Sequence, residues 1–379
     1  MHHPTPAVAY ALAAPATLAA LVRQHAALAI EAQADPSAMP ASDSAYDVAW
    51  ALARRLGFIE ADAAVIAQAW ARRSAREGHW RADWPDDPAD FGLLDAPIPA
   101  GVANPASAAD RLVGTASPAS PRSQPFASPF APHPDGLGLY AVLPDSAWVR
   151  RMADAGVPTL QLRYKSGATS SRGTPPEAAS SASRAPAAAP APAPTPAQPC
   201  AELLAQVRAA VAGVAGTASR LYINDHWQAA IQAGAYGVHL GQEDLDALEP
   251  EALDALRAAG LRLGISTHGY AELLRAAALR PSYIALGAVF PTTLKAMPTA
   301  PQGCARLRAY AQLLARLRPT IPTVAIGGIG LEHLGAIAAS GVGSFAVVRA
   351  LTASLDPAAA AQALQRRWAE LAAQRHPPQ

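Results

Sequence analysis

The sequence predicts a (β/α)8 TIM barrel over residues 136–379, preceded by a small and mostly helical N-terminal extension. Eight short apolar runs alternate with eight longer stretches of helical periodicity. The apolar runs are nearly continuous, which is typical of parallel strands buried on both faces. No glycine-rich G-x-G-x-x-G turn follows the first run, which disfavours an open doubly wound sheet. The pattern therefore favours a closed barrel.

The predicted strands are Leu137–Leu143, Thr159–Arg163, Leu221–Asn224, Gly237–Leu240, Arg262–Ser266, Tyr283–Ala288, Thr323–Gly327 and Ser344–Val348. The helical patterns that follow them are Trp148–Ala155, Glu202–Ala215, Trp227–Ala233, Pro250–Ala259, Ala271–Leu279, Ala305–Leu317, Leu331–Ala339 and Ala358–Ala372. Chemistry in such barrels lies at the carboxyl ends of the strands, so the polar residues just after each strand are the candidate site.

The chain divides into three parts by composition. Residues 1–96 are expected to be mostly helical, and residues 97–135 form a linker rich in Pro, Ala and Ser. Residues 136–379 form the predicted barrel, interrupted at about residues 167–199 by an Ala/Pro/Ser insert. This composition cannot pack a core, so we expect the insert to be a disordered loop.

Charge and cysteine content exclude some classes of function. The 30 basic and 29 acidic residues leave a formal net charge of +1, which argues against nucleic acid as a ligand. No run is long and apolar enough to span a membrane. Cys200 and Cys304 have neither metal-ligand spacing nor a disulfide pattern. We expect a cytoplasmic protein that acts on small molecules. Its oligomeric state stays open, a homo-oligomer included.

Three polar side chains alternate along the exit of the second predicted strand. Gln161, Arg163 and Lys165 therefore fall on one side of it. Lys165 is one of only two lysines among 30 basic residues, the other being Lys295, so each position is expected to demand an ammonium group. Two cations and an amide suit a polyphosphate or an electron-rich ring. A surface ion-pair patch is the alternative.

Two aspartates follow the third and fourth predicted strands. Asp225 comes after Asn224, and Asp244 lies three residues beyond Gly241. Two carboxylates together with substrate phosphate oxygens are a usual way of holding Mg2+. The alternative is helix capping, because Asp225 precedes a predicted helix and Asp is a preferred cap. Spacing alone leaves both interpretations open.

Hydroxyl and imidazole groups lie in and after the fourth and fifth predicted strands. Ser266 could donate to a phosphate or cap the helix that begins near His268. We expect His268 to be a solvent-exposed residue at the helix start. His239, within the fourth strand, is expected to face the core rather than to act in catalysis.

The last three strands are followed by residues suited to phosphate. The long loop after the sixth strand carries Thr292, Thr293 and Lys295, and loops of this length are often lids. Gly328 follows the seventh strand, and Val348 and Arg349 follow the eighth. Backbone N–H groups in the loops after the seventh and eighth strands form the recurrent phosphate site of barrels. For the glycine, a tight turn alone is the alternative.

Six runs of residues, in order along the chain, resemble the signature blocks of the thiamine-phosphate synthase family. They read QLRYK (161–165), IND (223–225), GVHLGQED (237–244), GISTH (264–268), FPTTLK (290–295) and AIGGI (325–329). They cover nearly all of residues 136–357 apart from the insert. The resemblance implies a transferase that joins hydroxymethylpyrimidine diphosphate to thiazole phosphate, releases diphosphate and uses Mg2+.

The resemblance also implies roles for individual residues. The pyrimidine diphosphate would be held by Gln161, Arg163, Lys165 and Asn224, and Mg2+ by Asp225 and Asp244. The diphosphate would be contacted by Ser266 and Lys295, and the thiazole phosphate by Thr292, Thr293, Gly328, Val348 and Arg349. The implied catalytic set is Arg163, Lys165, Ser266 and Lys295.

Three departures from the family pattern keep other functions open. Ala288 stands where the family usually has proline, Leu294 where a hydroxyl residue is common, and Arg349 where serine is usual. The last two lie in the thiazole-phosphate region. A thiazole tautomerase similar to the synthase's paralogues is one alternative. A non-catalytic protein that senses thiamine phosphates through the N-terminal helices is the other.

The N-terminal part gives a weaker signal. Residues 45–76 form an apolar helical pattern broken near Gly57, which resembles the last helices of a hydroxymethylpyrimidine phosphate kinase. The kinase's glycine-rich anion-binding turn is not evident, so we expect a degenerate, non-catalytic remnant. An unrelated helical extension is the alternative. The acidic run from Asp86 to Asp90 is expected to be a solvated turn rather than a metal site.

The insert provides a first test. It follows Lys165 on the catalytic side of the barrel, and we expect it to loop outward and leave the site open. Deleting residues 167–199 should therefore leave the steady-state turnover number near that of the intact chain. A large loss of turnover in a deletion variant that remains folded would contradict this expectation.

Overall fold

The computed structural model describes residues 18–93, 129–133, 136–165, 199–292 and 299–375. Eight parallel strands close into a barrel in sequence order, each paired with its neighbours and β1 paired with β8. The strands are β1 (Leu139–Leu143), β2 (Thr159–Leu162), β3 (Arg220–Asn224), β4 (Gly237–Leu240), β5 (Arg262–Thr267), β6 (Tyr283–Leu286), β7 (Thr323–Ala325) and β8 (Ser344–Val347). The predicted closed barrel is confirmed.

Thirteen α-helices lie in the described ranges. Three precede the barrel: α1 (Leu18–Gln24), α2 (Ala45–Arg55) and α3 (Glu60–Glu77). Ten belong to it: α4 (Ser146–Asp154), α5 (Ala201–Val214), α6 (Trp227–Ala233), α7 (Gln242–Ala247), α8 (Pro250–Ala258), α9 (Tyr270–Ala278), α10 (Gly303–Ala315), α11 (Leu334–Ala339), α12 (Arg349–Thr352) and α13 (Pro357–Arg375). None of these helices has the length and apolarity needed to cross a bilayer.

The barrel interior is filled by tyrosine rings. Side chains alternate along a strand, so Tyr140, Tyr222 and Tyr283 point inward and pack together. Two inward glycines make room for them. A Cβ atom on Gly264 would lie 2.0 Å from Cζ of Tyr283, and one on Gly237 would lie 2.5 Å from Cε1 of Tyr222. The interior is therefore a packed core.

The N-terminal helices are built from ordinary local signals. Ser44 caps α2, because its hydroxyl accepts the N–H of Asp47 at 3.1 Å. Gly57 has a φ of 77° and separates α2 from α3, so the predicted break is confirmed. A Cβ atom at Gly57 would also lie 2.3 Å from the carbonyl oxygen of Ile30. Glycine is required here on both counts.

The N-terminal helices pack directly against the barrel. The buried guanidinium of Arg306, in α10, donates to the carbonyl oxygens of Leu28 at 2.9 Å and Leu56 at 2.8 Å. The same group lies 3.6 Å from the ring centroid of Phe58, a cation–π contact. The hydrophobic core is continuous across this border. Residues 18–93 are therefore fastened to the outside of the barrel.

The acidic run departs from its prediction at one residue. Asp87 accepts the N–H of Ala89 at 3.0 Å, so the segment is a turn as expected. Asp90, however, is only 2% exposed and accepts three hydrogen bonds from Arg76, one at 3.1 Å and two at 2.9 Å. The expectation of a solvated turn is wrong for Asp90, because its carboxylate is buried against a guanidinium.

The Arg306 contact predicts a specific loss of stability. Replacing it in Arg306→Leu leaves two carbonyl oxygens without their donor, so we expect the free energy of unfolding to fall by about 3 kcal/mol. The measurement is urea denaturation followed by tryptophan fluorescence. Arg316→Leu is the matched control, since its ion pair with Asp86 is exposed; its effect should stay below about 0.5 kcal/mol. Equal effects of the two substitutions would contradict the assignment.

Candidate active site at the carboxyl ends of the strands

Two amides meet inside the barrel at the ends of β2 and β3. Gln161 is only 3% exposed, and its Nε2 donates to Oδ1 of Asn224 at 2.6 Å. Arg163 follows β2 directly, and its backbone N–H donates to the carbonyl of Leu143 at 2.8 Å. Lys165 is exposed at the end of this described range. The structure thus joins Gln161 to Asn224 and leaves the two cations at the mouth.

A buried histidine links the interior to this rim of strand ends. His239 points inward from β4; its Nδ1 lies 2.7 Å from the hydroxyl of Tyr283, and its Nε2 lies 2.7 Å from that of Ser266. Tyr283 in turn lies 2.7 Å, oxygen to oxygen, from Tyr140. The prediction that His239 faces the core is confirmed.

Burial lowers the pKa of His239 to about 4, so the imidazole is neutral at pH 7. The Asp244 carboxylate acts in the opposite direction and raises this pKa, whereas the Arg163 guanidinium lowers it further. Both charges therefore lie close enough to His239 to be felt there. Charges that follow β2 and β4 thus act on this imidazole in opposite directions.

Ser266 is not a helix cap. Helix α9 begins at Tyr270 with Gly269 as its N-cap, so the capping alternative is wrong. The Ser266 hydroxyl is instead bonded to His239, and its carbonyl accepts Nε2 of Gln242 at 2.7 Å. Both contacts fix the end of β5 at the mouth of the barrel.

The expectation of an exposed His268 is also wrong. Its side chain is 17% exposed, and its Nδ1 lies 2.8 Å from Oε2 of Glu272. The same carboxylate oxygen accepts the backbone N–H of His268 at 2.8 Å. The imidazole is held by the first turn of α9 rather than by solvent.

The two aspartates follow adjacent strands. Asp225 has a left-handed φ of 62°, and its N–H donates to the carbonyl of His239 at 2.9 Å. It does not cap α6, which begins at Trp227 with His226 in the cap position. Asp244 lies in the first turn of α7, where its Oδ2 accepts the N–H of Gly241 at 2.9 Å. For Asp244 the capping interpretation therefore holds, and it engages one of two carboxylate oxygens.

The donor set can be tested against Mg2+. Within the described residues, no group of three or more His, Cys, Asp or Glu side chains could hold a metal by itself. Mg2+ is commonly bound by one or two carboxylates, with substrate phosphate oxygens and waters completing its octahedron. Carboxylates from Asp225 and Asp244, on adjacent strand ends, fit that mode of binding.

The glycine pair after β7 allows close packing of two loops. Gly327 and Gly328 have φ values of 102° and 65°. A Cβ atom on Gly328 would lie 2.6 Å from the carbonyl oxygen of Pro291, in the loop after β6. The pair is therefore a turn that also admits the neighbouring loop. Thr292 ends that described stretch, and Thr293, Leu294 and Lys295 lie outside the described residues.

The residues after β8 start a short helix. Val348 is the N-cap of α12, and Arg349 is its first residue and is exposed. Val348 also packs against the barrel interior. The guanidinium of Arg349 is thus presented at the same end of the barrel as Gly328.

Sequence reasoning left two residues of this region without a role. His239 contacts Ser266, and Gln242 contacts its carbonyl. The inward orientation of His239 can be predicted from the sequence. His239 lies two residues from Gly237 along β4, so both residues are on the inward face of the strand. Its neighbour in register on β5 is Gly264, and no periodicity indicates that Tyr283 would fill the space there.

Two cavities lie elsewhere and lack this convergence. One of about 220 Å3 is lined mainly by charged residues of α3 and of the segment that follows it, and by Arg316. Its charges already pair with one another, as in Arg76–Asp90 and Arg316–Asp86. The other, of about 420 Å3, lies between the N-terminal segment and α10. We therefore place the candidate site at the strand ends.

The buried imidazole predicts a pH dependence of stability. Unfolding lets His239 recover its usual pKa near 6.5, so the unfolded chain binds the extra proton between pH 6.5 and 4 and stability is lost as pH falls. The stability advantage of the wild type over His239→Gln should shrink by about 3 kcal/mol between pH 7 and pH 4.

The measurement is chemical denaturation at both pH values. Burial raises the pKa of Asp62 to about 7, so Asp62 acts in the opposite sense over this range. The difference between wild type and variant cancels that contribution. A constant difference for His239→Gln would contradict its buried, neutral state.

Comparisons with known proteins agree with the resemblance found in the sequence. A family model described as thiamine monophosphate synthase matches residues 140–351. The chain is similar to a thiamine-phosphate synthase of Neisseria meningitidis serogroup A, at 45% identity over 63% of this chain and 98% of the relative. It is also similar to one of Cronobacter sakazakii, at 46% identity over 62% of this chain and 94% of the relative.

Among solved structures, the fold is similar to a thiamine phosphate pyrophosphorylase from Pyrococcus furiosus. That similarity has a TM-score of 0.45 and 23% identity, and it covers 62% of this chain and 96% of the other. The family match covers more than half of the chain, and the curated relatives are matched over nearly their whole length. The chain belongs to the thiamine monophosphate synthase family.

Proposed function

We propose that this chain is a thiamine-phosphate synthase, a transferase of thiamine biosynthesis that joins hydroxymethylpyrimidine diphosphate to thiazole phosphate and releases diphosphate. The observation that carries the proposal is the pairing of Gln161 with Asn224 and of Ser266 with His239 at one end of a closed barrel, where the charges of Arg163 and Asp244 also act on His239. The family membership gives the same reaction.

The pyrimidine end of the substrate is assigned to the amides. Gln161 and Asn224 offer donors and acceptors suited to a polar heteroaromatic ring, and their mutual hydrogen bond of 2.6 Å fixes both groups before substrate arrives. Arg163 and Lys165 follow β2, the strand that carries Gln161, and supply positive charge for the attached diphosphate.

The leaving group is assigned to the ends of β3, β4 and β5 and to the long loop after β6. Ser266 donates to a diphosphate oxygen while its own position is held by His239, and Lys295 supplies a further cation. Asp225 and Asp244 would hold Mg2+ beside it. When bound, that ion neutralises charge building on the departing diphosphate.

The chemistry balances without a protein nucleophile. The bond between the pyrimidine methylene carbon and the diphosphate oxygen breaks, and its electron pair leaves with diphosphate. The resulting methylene cation takes the lone pair of the thiazole nitrogen, which forms the new carbon–nitrogen bond. The side chains act by electrostatic stabilisation of the leaving group and by fixing the two reactants. The neutral state of His239 keeps an added positive charge off the interior.

The thiazole phosphate is assigned to the loops after β6, β7 and β8. Thr292 and Thr293 offer hydroxyls, Gly328 and Val348 offer backbone N–H groups, and Arg349 is exposed at the start of α12. Arg349 replaces the usual serine with a charge-assisted donor, which suits a phosphate more strongly than a hydroxyl does.

Two other functions are less well supported. A thiazole tautomerase needs no pyrimidine-diphosphate apparatus, so the paired Gln161 and Asn224 speak against it. A sensor needs no metal site, so the two aspartates speak against it. We further propose action in the cytoplasm on small molecules alone, without nucleic acid or membrane, in line with the free thiols of Cys200 and Cys304.

The decisive experiment is a diphosphate-release assay with both substrates across a range of Mg2+ concentrations. We expect Mg2+-dependent release by the wild type. Asp225→Asn removes the charge while tolerating the φ of 62°, and should lower kcat/KM roughly a hundredfold and raise the Mg2+ requirement. Isomerisation of the thiazole without diphosphate release would favour the tautomerase, and binding without turnover would favour the sensor.

The matched control is Asp246→Asn. Asp246 is an exposed aspartate of α7 that pairs with Arg275 at 2.5 Å, so it carries the same charge close to Asp244 but is already engaged by a guanidinium. Its kcat/KM and Mg2+ dependence should match the wild type. An unchanged Mg2+ dependence in folded Asp225→Asn would overturn the metal assignment.

A further inference from the structure

Helix α9, which follows β5, has no side-chain N-cap of its own. Ser266 lies near the end of β5, and α9 begins only four residues later at Tyr270. The N-cap of α9 is Gly269, which has no side chain to accept the first N–H groups of the helix. These donors need a partner when a helix start is buried.

The partner comes from the N-terminal segment. Asp62, in α3, is only 3% exposed, and its Oδ1 accepts the N–H of Ala271 at 2.9 Å. Its Oδ2 lies 2.1 Å from the place where a Cβ atom of Gly269 would stand. The carboxylate therefore occupies the space of the missing side chain. It caps the N-terminus of α9 although Asp62 lies more than 200 residues away in sequence.

The carboxylate is held in a low-dielectric site. Burial is the main cause that raises the pKa of Asp62, and the N–H of Ala271 and the guanidinium of Arg306 lower it. Glu272, in α9, adds to the rise. A hydrogen bond in such surroundings is strong electrostatically, and its loss leaves a buried donor unpaired.

Aromatic contacts hold the same helix start. The ring of Tyr270 stacks on Phe91 at 5.2 Å between centroids and meets Tyr310 edge-on at 4.8 Å. Its hydroxyl accepts Nε1 of Trp84 at 2.9 Å. Phe91 and Trp84 both belong to the N-terminal segment, which therefore grips both backbone and side chain at this point.

We propose that Asp62 is a positioning residue for the synthase reaction, which it serves by fixing the β5–α9 connection and thereby the hydroxyl of Ser266. The inference rests on the function proposed above. The curated relatives are matched over 94–98% of their length by 62–63% of this chain, so most of the N-terminal segment is additional to them. In this chain the barrel has come to depend on that segment for one edge of its site.

The test compares three variants of the full chain by diphosphate release. Asp62→Ala removes the acceptor and should lower kcat roughly tenfold, with the KM for thiazole phosphate changed by less than about twofold. Asp62→Asn keeps an oxygen acceptor of the same shape and should restore kcat to within about threefold of wild type.

Asp90→Ala is the matched control, because Asp90 is equally buried in the same segment but bonds to Arg76 instead of α9. It should leave kcat unchanged even where it lowers the melting temperature. A fall in kcat as large as that of Asp62→Ala, or an unchanged kcat in Asp62→Ala, would overturn the proposal.

Amide hydrogen exchange gives a second readout that does not need turnover. Exchange at Tyr270 and Ala271 should speed up at least about tenfold in Asp62→Ala and stay at the wild-type rate in Asp90→Ala. If the wild type releases no diphosphate, the proposed function fails while this structural claim is still tested. Unchanged exchange in Asp62→Ala would sink the positioning claim by itself.

Discussion

The closure of eight parallel strands is the constraint on which the other features depend. Because every strand runs the same way, all carboxyl ends meet at one end of the barrel, and side chains far apart in sequence become neighbours. Gln161 and Asn224 lie 63 positions apart in the chain and share a hydrogen bond. No loop on its own could hold these groups as rigidly as adjacent strands do.

The interior couples the floor of the barrel to its mouth. Tyr140, Tyr283, His239 and Ser266 form a line of contacts that ends at the candidate site. The two bonds made by Tyr283 are buried and the last, to Ser266, is partly buried, so the members within the core have few alternative partners. The rotamer of Ser266 is thus set by packing deep in the core as well as by its own strand.

The strands and most helices could be predicted because their signals are local and long enough to count. Helices α7 and α12 have six and four residues, too few for a helical period to emerge, and they escaped prediction. The expectations for His268 and Asp90 were wrong for different reasons. His268 bonds to Glu272, which lies only four residues further along the chain in the first turn of α9. Asp90 is buried against Arg76, which the tertiary fold brings to it. The docking of Asp62 on α9 is long-range in the same way, and no local pattern announces it.

The tyrosine side chains that fill the barrel affect how substrates enter and products leave. Among the described residues, rings from three strands pack against one another across the barrel axis, so we expect no reactant to pass through the barrel. Both reactants must then enter, and both products must leave, through the mouth of the barrel at the carboxyl ends of the strands. Once both reactants are bound, the second one obstructs dissociation of the first. The packing of the core therefore constrains the order in which substrates bind and products leave.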